Sequence, residues 1–337
     1  ESGLFSSVEI EPHIINNNLI DLNIKIREYK SREIGAEIGF DQLPSTQGDL
    51  PISAINSKLQ WRLGQLLNTT ASIRLNTEIG LSYYRTNSFM RQYYEAFYNS
   101  PWFLDIRIPL NLKIYYEDIT QTQSLRRFGI NTSFTYYNNN NTRLSGNLKT
   151  EFIKSTDIDE AEERSINFFF TKHSIKNHLY PKKGFYLSIN PSLHGTFLGG
   201  NFHYIKLDTE FKYFYTIFGS VVFANRLKIG KIEKITYYMK DDYYIPAFDK
   251  FQLGGQTSLR GWSSPRDFEN GENNGSMDRY LFNTEIRFPL YARFGGVIFY
   301  DLGLFDNPND KTKYGWNTGF GLTFNTGLGP VRVDTAY

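Results

Sequence analysis

The sequence predicts an all-β fold, a transmembrane antiparallel β-barrel of about 16 strands. Two observations predict it: long segments in which apolar and polar residues alternate, and connections that alternate between short and long. A tilted strand needs ~9–11 residues to cross the hydrocarbon core of a membrane, and alternating segments of about that length are typical of membrane barrels. A large soluble β-sheet protein is the alternative, but it would not need a solidly apolar face on so many strands.

The composition agrees with this class. Of 337 residues, 17% are aromatic, and aromatic side chains favour strands. No apolar run approaches the ~20 residues of a membrane-spanning helix, so transmembrane helices are excluded. The chain has no cysteine, which rules out disulfides and thiolate metal sites. A net charge of +2 offers no argument for binding nucleic acid.

Residues 1–29 differ from the rest of the chain. They contain two short alternating segments, 5–10 and 19–28, around a run of three asparagines. A two-stranded hairpin is not a stable domain by itself. We therefore expect these residues to be the end of a module that continues upstream.

The barrel is expected over residues 30–337. Its clearest alternation runs from residue 102 to 116, where Ile106, Ile108 and Leu110 alternate with polar residues and one proline. The predicted strands are 31–41, 54–66, 70–84, 88–98, 102–117, 125–138, 142–154, 164–173, 183–196, 202–216, 218–232, 277–289, 294–303, 316–326 and 330–337. Bacterial barrels close with an even number of strands, so this count lacks a closing strand.

The connections between these strands alternate in length. Tight turns are predicted near 68, 99–101, 139–140, 218–219, 291–292 and 327–329, whereas 41–54, 155–163, 233–276 and 304–315 are long and polar. Outer-membrane barrels have short periplasmic turns and longer outer loops. We therefore expect an outer membrane of the Gram-negative type, a periplasmic N-terminus and an outer loop at 233–276. The connection 174–182 is an exception, because it is long for a periplasmic turn.

The outer loop contains a glycine-rich segment at 251–262 that carries a single arginine. Glycine permits tight bends and a close approach of the backbone. A long loop in a compact domain is usually functional or disordered, and the apolar and aromatic residues at both ends of this segment predict order. The notable residues of the segment are Gly254, Gly255, Arg260, Gly261 and Trp262.

Together these features resemble the outer-membrane protein assembly superfamily that includes BamA, TamA and the two-partner secretion transporter FhaC. Each matching motif is weak alone, but their combination and order are specific. The motifs are at 3–8, 26–28, 181–185, 251–262, 283–288, 299–303 and 329–334. The resemblance implies that residues 1–29 are the C-terminal strands of a periplasmic POTRA module and that residues 30–337 form the barrel.

In this family the loop arginine pairs with acidic groups on two late strands, so the resemblance implies that Arg260 meets Glu285 and Asp301. A guanidinium can satisfy two carboxylates at once, and lysine could not. The alternative is an exposed turn at Arg260. Trp262 departs from the Phe or Tyr that is common in the family. The residues expected to pin the loop to the barrel are Gly254, Gly255, Arg260, Gly261, Trp262, Glu285 and Asp301.

The resemblance also implies a function: assembly and insertion of β-barrel proteins in the outer membrane, with no cofactor and no bond change. Glycine weakens a strand interior, so the first barrel strand is expected to form a weak seam that templates an incoming strand. The implied partners are outer-membrane lipids, unfolded β-barrel clients and periplasmic or lipoprotein accessory subunits. The seam residues are Ile34, Gly35, Ala36, Ile38, Gly39 and Phe40.

Three other functions are weighed against this one. A secretion transporter would pass an extended polypeptide through the polar lumen, and a porin-like channel would use the loop only to narrow a pore. An enzyme is not predicted, because the histidines form no His-Glu-x-x-His pattern and no Gly-x-Ser-x-Gly motif is present. His194 and His203 flank a connection and are expected to be solvated.

Overall fold

The computed structural model describes residues 5–16, 19–28, 31–43, 52–66, 69–84, 87–103, 106–120, 124–155, 158–235, 245–263, 265–269, 275–305, 312–327 and 329–337. These residues form two antiparallel sheets. Among them, no helix is long and apolar enough to cross a membrane. Residues 44–51 of the predicted long connection 41–54, and residues 306–311 of the connection 304–315, lie outside the described residues.

The smaller sheet is a hairpin near the N-terminus. Its strands are β1 (Phe5–Asn16) and β2 (Leu19–Glu28), which pair antiparallel along most of their length. The described strands of this hairpin pair only with each other.

The larger sheet contains fifteen strands in chain order. Its first half consists of β3 (Arg32–Leu43), β4 (Ile52–Leu63), β5 (Ser72–Tyr84), β6 (Asn87–Ser100), β7 (Leu110–Thr120), β8 (Leu125–Asn138), β9 (Thr142–Ser155) and β10 (Ala161–His173). Its second half consists of β11 (Gly184–His194), β12 (Tyr204–Phe218), β13 (Val221–Lys234), β14 (Asp278–Tyr291), β15 (Phe294–Phe305), β16 (Lys313–Thr326) and β17 (Gly329–Ala336). Within the described residues, β3 and β17 are the two edges and do not pair with each other.

The two faces of this sheet differ as the alternation predicts. Ile298 and Phe320 are cross-strand partners on the outer face, and both are exposed, as suits a surface that faces lipid. Asp301 lies opposite Asn283 and Asn317, and all three are buried on the inner face. The polar inner faces of the strands line a lumen, and described residues of the connection between β13 and β14 contact these faces.

The prediction of a single strand over 102–117 is wrong in its first half, because β7 begins at Leu110. Proline has no N–H to donate to a strand ladder, and Pro101 and Pro109 stand near the two ends of the misassigned stretch. The tight turn predicted at 99–101 is therefore a longer connection, 101–109.

This connection has a local structure of its own. Phe103 and Ile106 form an isolated bridge, and each amide donates to the carbonyl of the other at 3.0 Å. The ring of Phe103 packs edge-on against Phe134 of β8. Leu104 and Asp105 lie outside the described residues. The apolar alternation thus continues through a turn, which explains why it resembles a strand.

Candidate functional site

The described part of the connection between β13 and β14, residues 245–263, 265–269 and 275–277, packs against the inner face of the sheet and is held closed at its base. Phe251 and Ser276 exchange two backbone hydrogen bonds, of 2.9 and 2.8 Å. Three residues of the connection, Leu253, Leu259 and Phe268, are almost completely buried, and they belong to one apolar cluster with Phe305 of β15 and other strand residues. Burial of apolar side chains against the barrel wall keeps this loop in place.

The tip of the loop bends back on itself, and this bend presents the arginine. Gly254 and Gly255 have φ values of 111° and 88°, which a residue with a side chain rarely adopts. The Gly255 amide donates to the carbonyl of Trp262 at 2.9 Å, and the Trp262 amide donates to the carbonyl of Leu259. Arg260 lies within this closed turn.

The Arg260 guanidinium contacts two carboxylates at short range. Its Nε and Nη2 donate to Asp301 at 2.8 and 2.5 Å, in a bidentate arrangement, and its Nη1 donates to Glu285 at 2.6 Å. A third carboxylate, Asp334 of β17, lies 3.3 Å from Nη1. The guanidinium carbon is 3.5 Å from the centre of the Phe299 ring, a cation–π contact. One loop side chain thereby joins β14, β15 and β17.

The acids are supported by further polar groups. Asp301 is fully buried and also accepts hydrogen bonds from the amides of Asn283 and Asn317, at 2.7 and 2.9 Å. Arg332 donates to both Asp334 and Glu285. The two amides give each Asp301 oxygen a second donor, and Arg332 reaches the Asp334 and Glu285 oxygens that Arg260 does not, so these buried carboxylates are well satisfied.

The charges of this cluster are balanced. It contains three guanidinium groups and three carboxylates, those of Arg260, Arg287, Arg332, Glu285, Asp301 and Asp334. Burial alone would lower the pKa of Arg260, but its hydrogen bonds to Asp301 and the charge of Glu285 raise that pKa above the ordinary value. Arg260 therefore stays charged.

The two residues after Arg260 fit against β16. A methyl group at Gly261 would lie 2.8 Å from Cβ of Asn317, so the close approach leaves no room for a side chain. Trp262 packs edge-on against Phe268, with ring centres 5.2 Å apart. A methyl group at Gly315 would lie 2.5 Å from the Trp262 ring. Small residues on both sides of the contact allow the loop to reach the wall.

The same loop touches a second part of the wall. Tyr204 donates its hydroxyl to the Asp249 carboxylate at 2.7 Å, and Lys206 Nζ donates to the Asp249 carbonyl at 2.5 Å. The guanidinium of Arg127 in β8 lies over the ring of Phe248. Burial raises the pKa of Asp249 above its ordinary value, and the charge of Glu163 adds to this. The loop therefore contacts β8 and β12 as well as β14, β15 and β17.

The expectation that His194 and His203 are solvated is wrong, because both are buried. His194 Nδ1 lies 2.9 Å from Glu163, and its ring stacks on Tyr204 with centres 4.1 Å apart. His203 Nδ1 accepts a hydrogen bond from the Thr196 amide at 2.7 Å. The alternation places the His194 side chain on the inner face of the sheet, where it contacts Glu163 and stacks on Tyr204.

His194 Nε2 also lies 3.0 Å from the hydroxyl of Ser192. The sequence of contacts from Ser192 through His194 to Glu163 resembles that of a nucleophilic site. However, Glu163 also accepts a hydrogen bond from Lys149 Nζ at 3.0 Å. The imidazole of His194 is buried and is covered by the ring of Tyr204. The arrangement is a shared structural network. Within the described ranges, no group of three His, Asp or Glu side chains is placed to hold a metal ion.

The seam residues lie on the edge strand β3, whereas the contacts of Arg260 are with β14, β15 and β17. Ile34 and Ile38 are 77% and 79% exposed, and β3 pairs on one side only, with β4. Gly35, Ala36 and Gly39 also lie in β3, and so does the backbone of Phe40, whose side chain is outside the description. The structure brings Arg260, Glu285 and Asp301 together and places the seam residues elsewhere.

The sequence reasoning missed Asp334, Arg332 and Asn317. Asp334 and Arg332 belong to a motif at 329–334 whose alternation puts them on one face, so their common side of β17 is visible in the sequence. Their contact with Arg260 and Glu285 depends on pairing across several strands. No local pattern supplies that pairing.

Comparison with known proteins gives consistent matches. Residues 66–337 match the Omp85 superfamily domain. The outer membrane protein assembly factor BamA of Nitratidesulfovibrio vulgaris is 25% identical over 175 residues, which cover 48% of this chain and 21% of that protein. The matched segment thus spans about a fifth of that relative.

Solved structures are similar in fold at low sequence identity. A BamA structure from Haemophilus ducreyi that lacks POTRA domains 1–3 has a TM-score of 0.74 at 14% identity, and covers 100% of this chain and 72% of that one. CdiB from Acinetobacter baumannii has a TM-score of 0.57 at 13% identity, with 99% and 62% covered. CdiB from Escherichia coli has a TM-score of 0.58 at 13% identity, with 99% and 68% covered.

Proposed function

The chain belongs to the Omp85 superfamily, and on that premise we propose that it assembles β-barrel proteins and inserts them into the outer membrane through a weak seam at β3. The relative that matches in sequence is named an outer membrane protein assembly factor, which supports this choice. The clients would be unfolded β-barrel proteins, and the surrounding partners would be outer-membrane lipids.

The edge strand β3 is the observation that carries the proposal. It pairs with β4 alone, so the N–H and C=O groups of its other side have no strand partner in the described sheet. In lipid, each unsatisfied backbone group costs several kcal/mol. When the seam opens, a client strand that pairs with β3 would offset that cost, which is recognition by β-strand addition. Gly35 and Gly39 further weaken this strand.

The arginine cluster has a complementary role in this proposal. Arg260 connects the loop to β14, β15 and β17, and so stiffens the wall that ends at the second edge of the sheet. A rigid wall on one side allows the seam to open by movement of β3 and its neighbours. We call this role pinning: it keeps the late strands in register while a client strand is added.

The proposal also gives a location to the N-terminal hairpin and to the connection between β13 and β14. The β1–β2 hairpin would be the end of a POTRA module in the periplasm, and the connection between β13 and β14 would enter the lumen from the outer side. Periplasmic or lipoprotein subunits would act upstream, where clients arrive. This orientation follows from the longer connections, which lie on the outer side in barrels of this kind.

Transport of a polypeptide through the lumen fits the loop contacts less well. Segment 245–263 contacts Arg127 and Tyr204 on one part of the wall and Asp301 and Asp334 on another. A translocating chain would have to displace this segment and break its buried ion pairs. Insertion at the seam requires no such displacement.

Insertion of a client tests the proposal. The full-length protein in lipid vesicles is expected to accelerate the folding of an unfolded outer-membrane barrel by about tenfold or more, a barrier lowered by ~1.4 kcal/mol or more. Heat-modifiable migration of the client would measure its folded fraction. Empty vesicles and vesicles with an unrelated barrel are the controls. No acceleration, together with a stable open-channel conductance, would instead support a pore or transporter.

A further inference from the structure

The connection between β10 and β11, residues 174–183, is one of the longer connections at its end of the barrel, together with 101–109. We call it the strap. At the same end, the connections between β12 and β13 and between β14 and β15 are the short turns 219–220 and 292–293. The strap belongs to no strand, yet its backbone and side chains make defined contacts, which suggests a specific role.

The strap is anchored at its base. Ile175 is buried and packs with Phe214 and Ala224. The Ser174 amide donates to the carbonyl of Phe185 at 2.9 Å, and the Phe185 amide donates to the Ser174 hydroxyl at 3.0 Å. These contacts fix the direction in which the strap leaves β10.

The middle of the strap is shaped by an asparagine turn. The Asn177 side-chain oxygen accepts from the amides of Leu179 and Tyr180, both at 3.0 Å. Asparagine favours such turns, because its side-chain oxygen accepts hydrogen bonds from backbone amides two or three residues further along the chain. Near its end, the Lys182 carbonyl accepts from the hydroxyl of Thr216 in β12 at 2.9 Å. These hydrogen bonds on both sides of Tyr180 fix the position of its backbone.

Tyr180 reaches a distant part of the sheet. Its hydroxyl donates to the carbonyl of Thr326 at 2.5 Å, across 146 residues of sequence. Thr326 is the last residue of β16, directly before the turn into β17. Tyr180 and Lys182 also line a cavity of about 650 Å³ whose other residues include Arg293 and Gly327, in the turns of the late strands.

The strap also borders the cavity that is lined by residues of the arginine cluster. His178, Leu179 and Pro181 line a cavity of about 430 Å³ together with Arg260 and residues of β17 such as Asp334. Besides its contacts with neighbouring strands, the hairpin formed by β16 and β17 is therefore contacted by two connections, the β13–β14 connection and the strap. Arg260 holds it through Asp334, and Tyr180 holds it at its turn.

We propose that the strap is a latch on the β16–β17 hairpin, with Tyr180 as its positioning residue. Among the described strands, β17 pairs with β16, and β16 pairs with β15. A contact at the turn of a hairpin must break before the hairpin opens locally, so the Tyr180 contact lowers how often β16 and β17 open. The idea that the latch regulates opening of the seam rests on the proposed function. The contacts that define it do not.

Hydrogen exchange of the full-length protein in vesicles tests the latch. Tyr180→Phe removes only the hydroxyl, and is expected to speed exchange of the β16–β17 amides by about tenfold, which corresponds to ~1.4 kcal/mol. Exchange in β9 and β10 should stay the same. The matched control is Tyr115→Phe, which removes a hydroxyl that donates to Glu151 on another part of the wall, and it should leave the β16–β17 amides unchanged.

Two outcomes would overturn the latch: unchanged β16–β17 exchange in Tyr180→Phe, or an equal change in Tyr115→Phe. Client insertion, measured in the same vesicles, separates the latch from the proposed function. Faster exchange in Tyr180→Phe without client insertion by either protein would reject the proposed function and keep the latch. Client insertion with unchanged exchange would reject the latch and keep the function.

Discussion

Replacement of Arg260 by alanine is expected to lower the free energy of unfolding by about 3–5 kcal/mol, the range for removal of one partner from a buried ion pair. The variant leaves the fully buried Asp301 carboxylate with the amides of Asn283 and Asn317 but no adjacent cation from the loop. Glu285 keeps Arg287 and Arg332, so most of the loss arises at Asp301.

Denaturant unfolding, followed by heat-modifiable migration, measures this effect. Arg260→Lys keeps the charge but loses the planar bidentate contact, and should lie between alanine and the wild type. Arg164→Ala is the control, because its pair with Glu162 is more exposed and such pairs contribute little. Equal stability of Arg260→Ala and Arg164→Ala would remove the pinning role.

A disulfide across the seam is expected to reduce client insertion by more than about tenfold, because a locked seam cannot accept a strand. The chain has no cysteine of its own, so an introduced pair has no competitor. Gly39 is a suitable position in β3, since an added Cβ there meets nothing within 4 Å. The second cysteine belongs in the strand that borders β3 in the full-length protein.

Insertion is measured with the disulfide formed and again after reduction, which should restore the rate. A control disulfide joins Thr135 to Ser145, directly opposed residues of β8 and β9 whose hydroxyls are 3.1 Å apart. This crosslink ties strands that are already paired, so insertion should continue. Full insertion with the seam locked would rule out lateral opening.

Much of the fold follows from alternation alone. The predicted strand 125–138 coincides with β8, and each of the other fourteen predicted barrel strands overlaps an observed one. Period-two patterning is strong here because every strand has one face toward lipid and one toward a polar lumen. The error at 102–109 arises because apolar alternation also occurs in a turn bounded by prolines.

The site is less accessible to sequence reasoning than the fold. The family resemblance suggested Arg260, Glu285 and Asp301, which the structure places in contact. The position of Asn317 opposite Asp301 depends on the register between β15 and β16, which no local motif specifies. The burial of His194 was missed for a similar reason, since it depends on a network between neighbouring strands and on the stacked Tyr204.

If client strands form on β3, a photoreactive residue at Ile34 or Ile38 should crosslink to a client strand during insertion. The two positions are on the same face of one strand, so their crosslinks should map about four residues apart on the client. A probe at Ile229 of β13, which also faces outward, is the control and should give none. A further probe can replace Lys212 of β12, which lines the cavity beside Arg260. Crosslinks of equal yield from Ile229, or crosslinks from Lys212 alone, would contradict templating at β3.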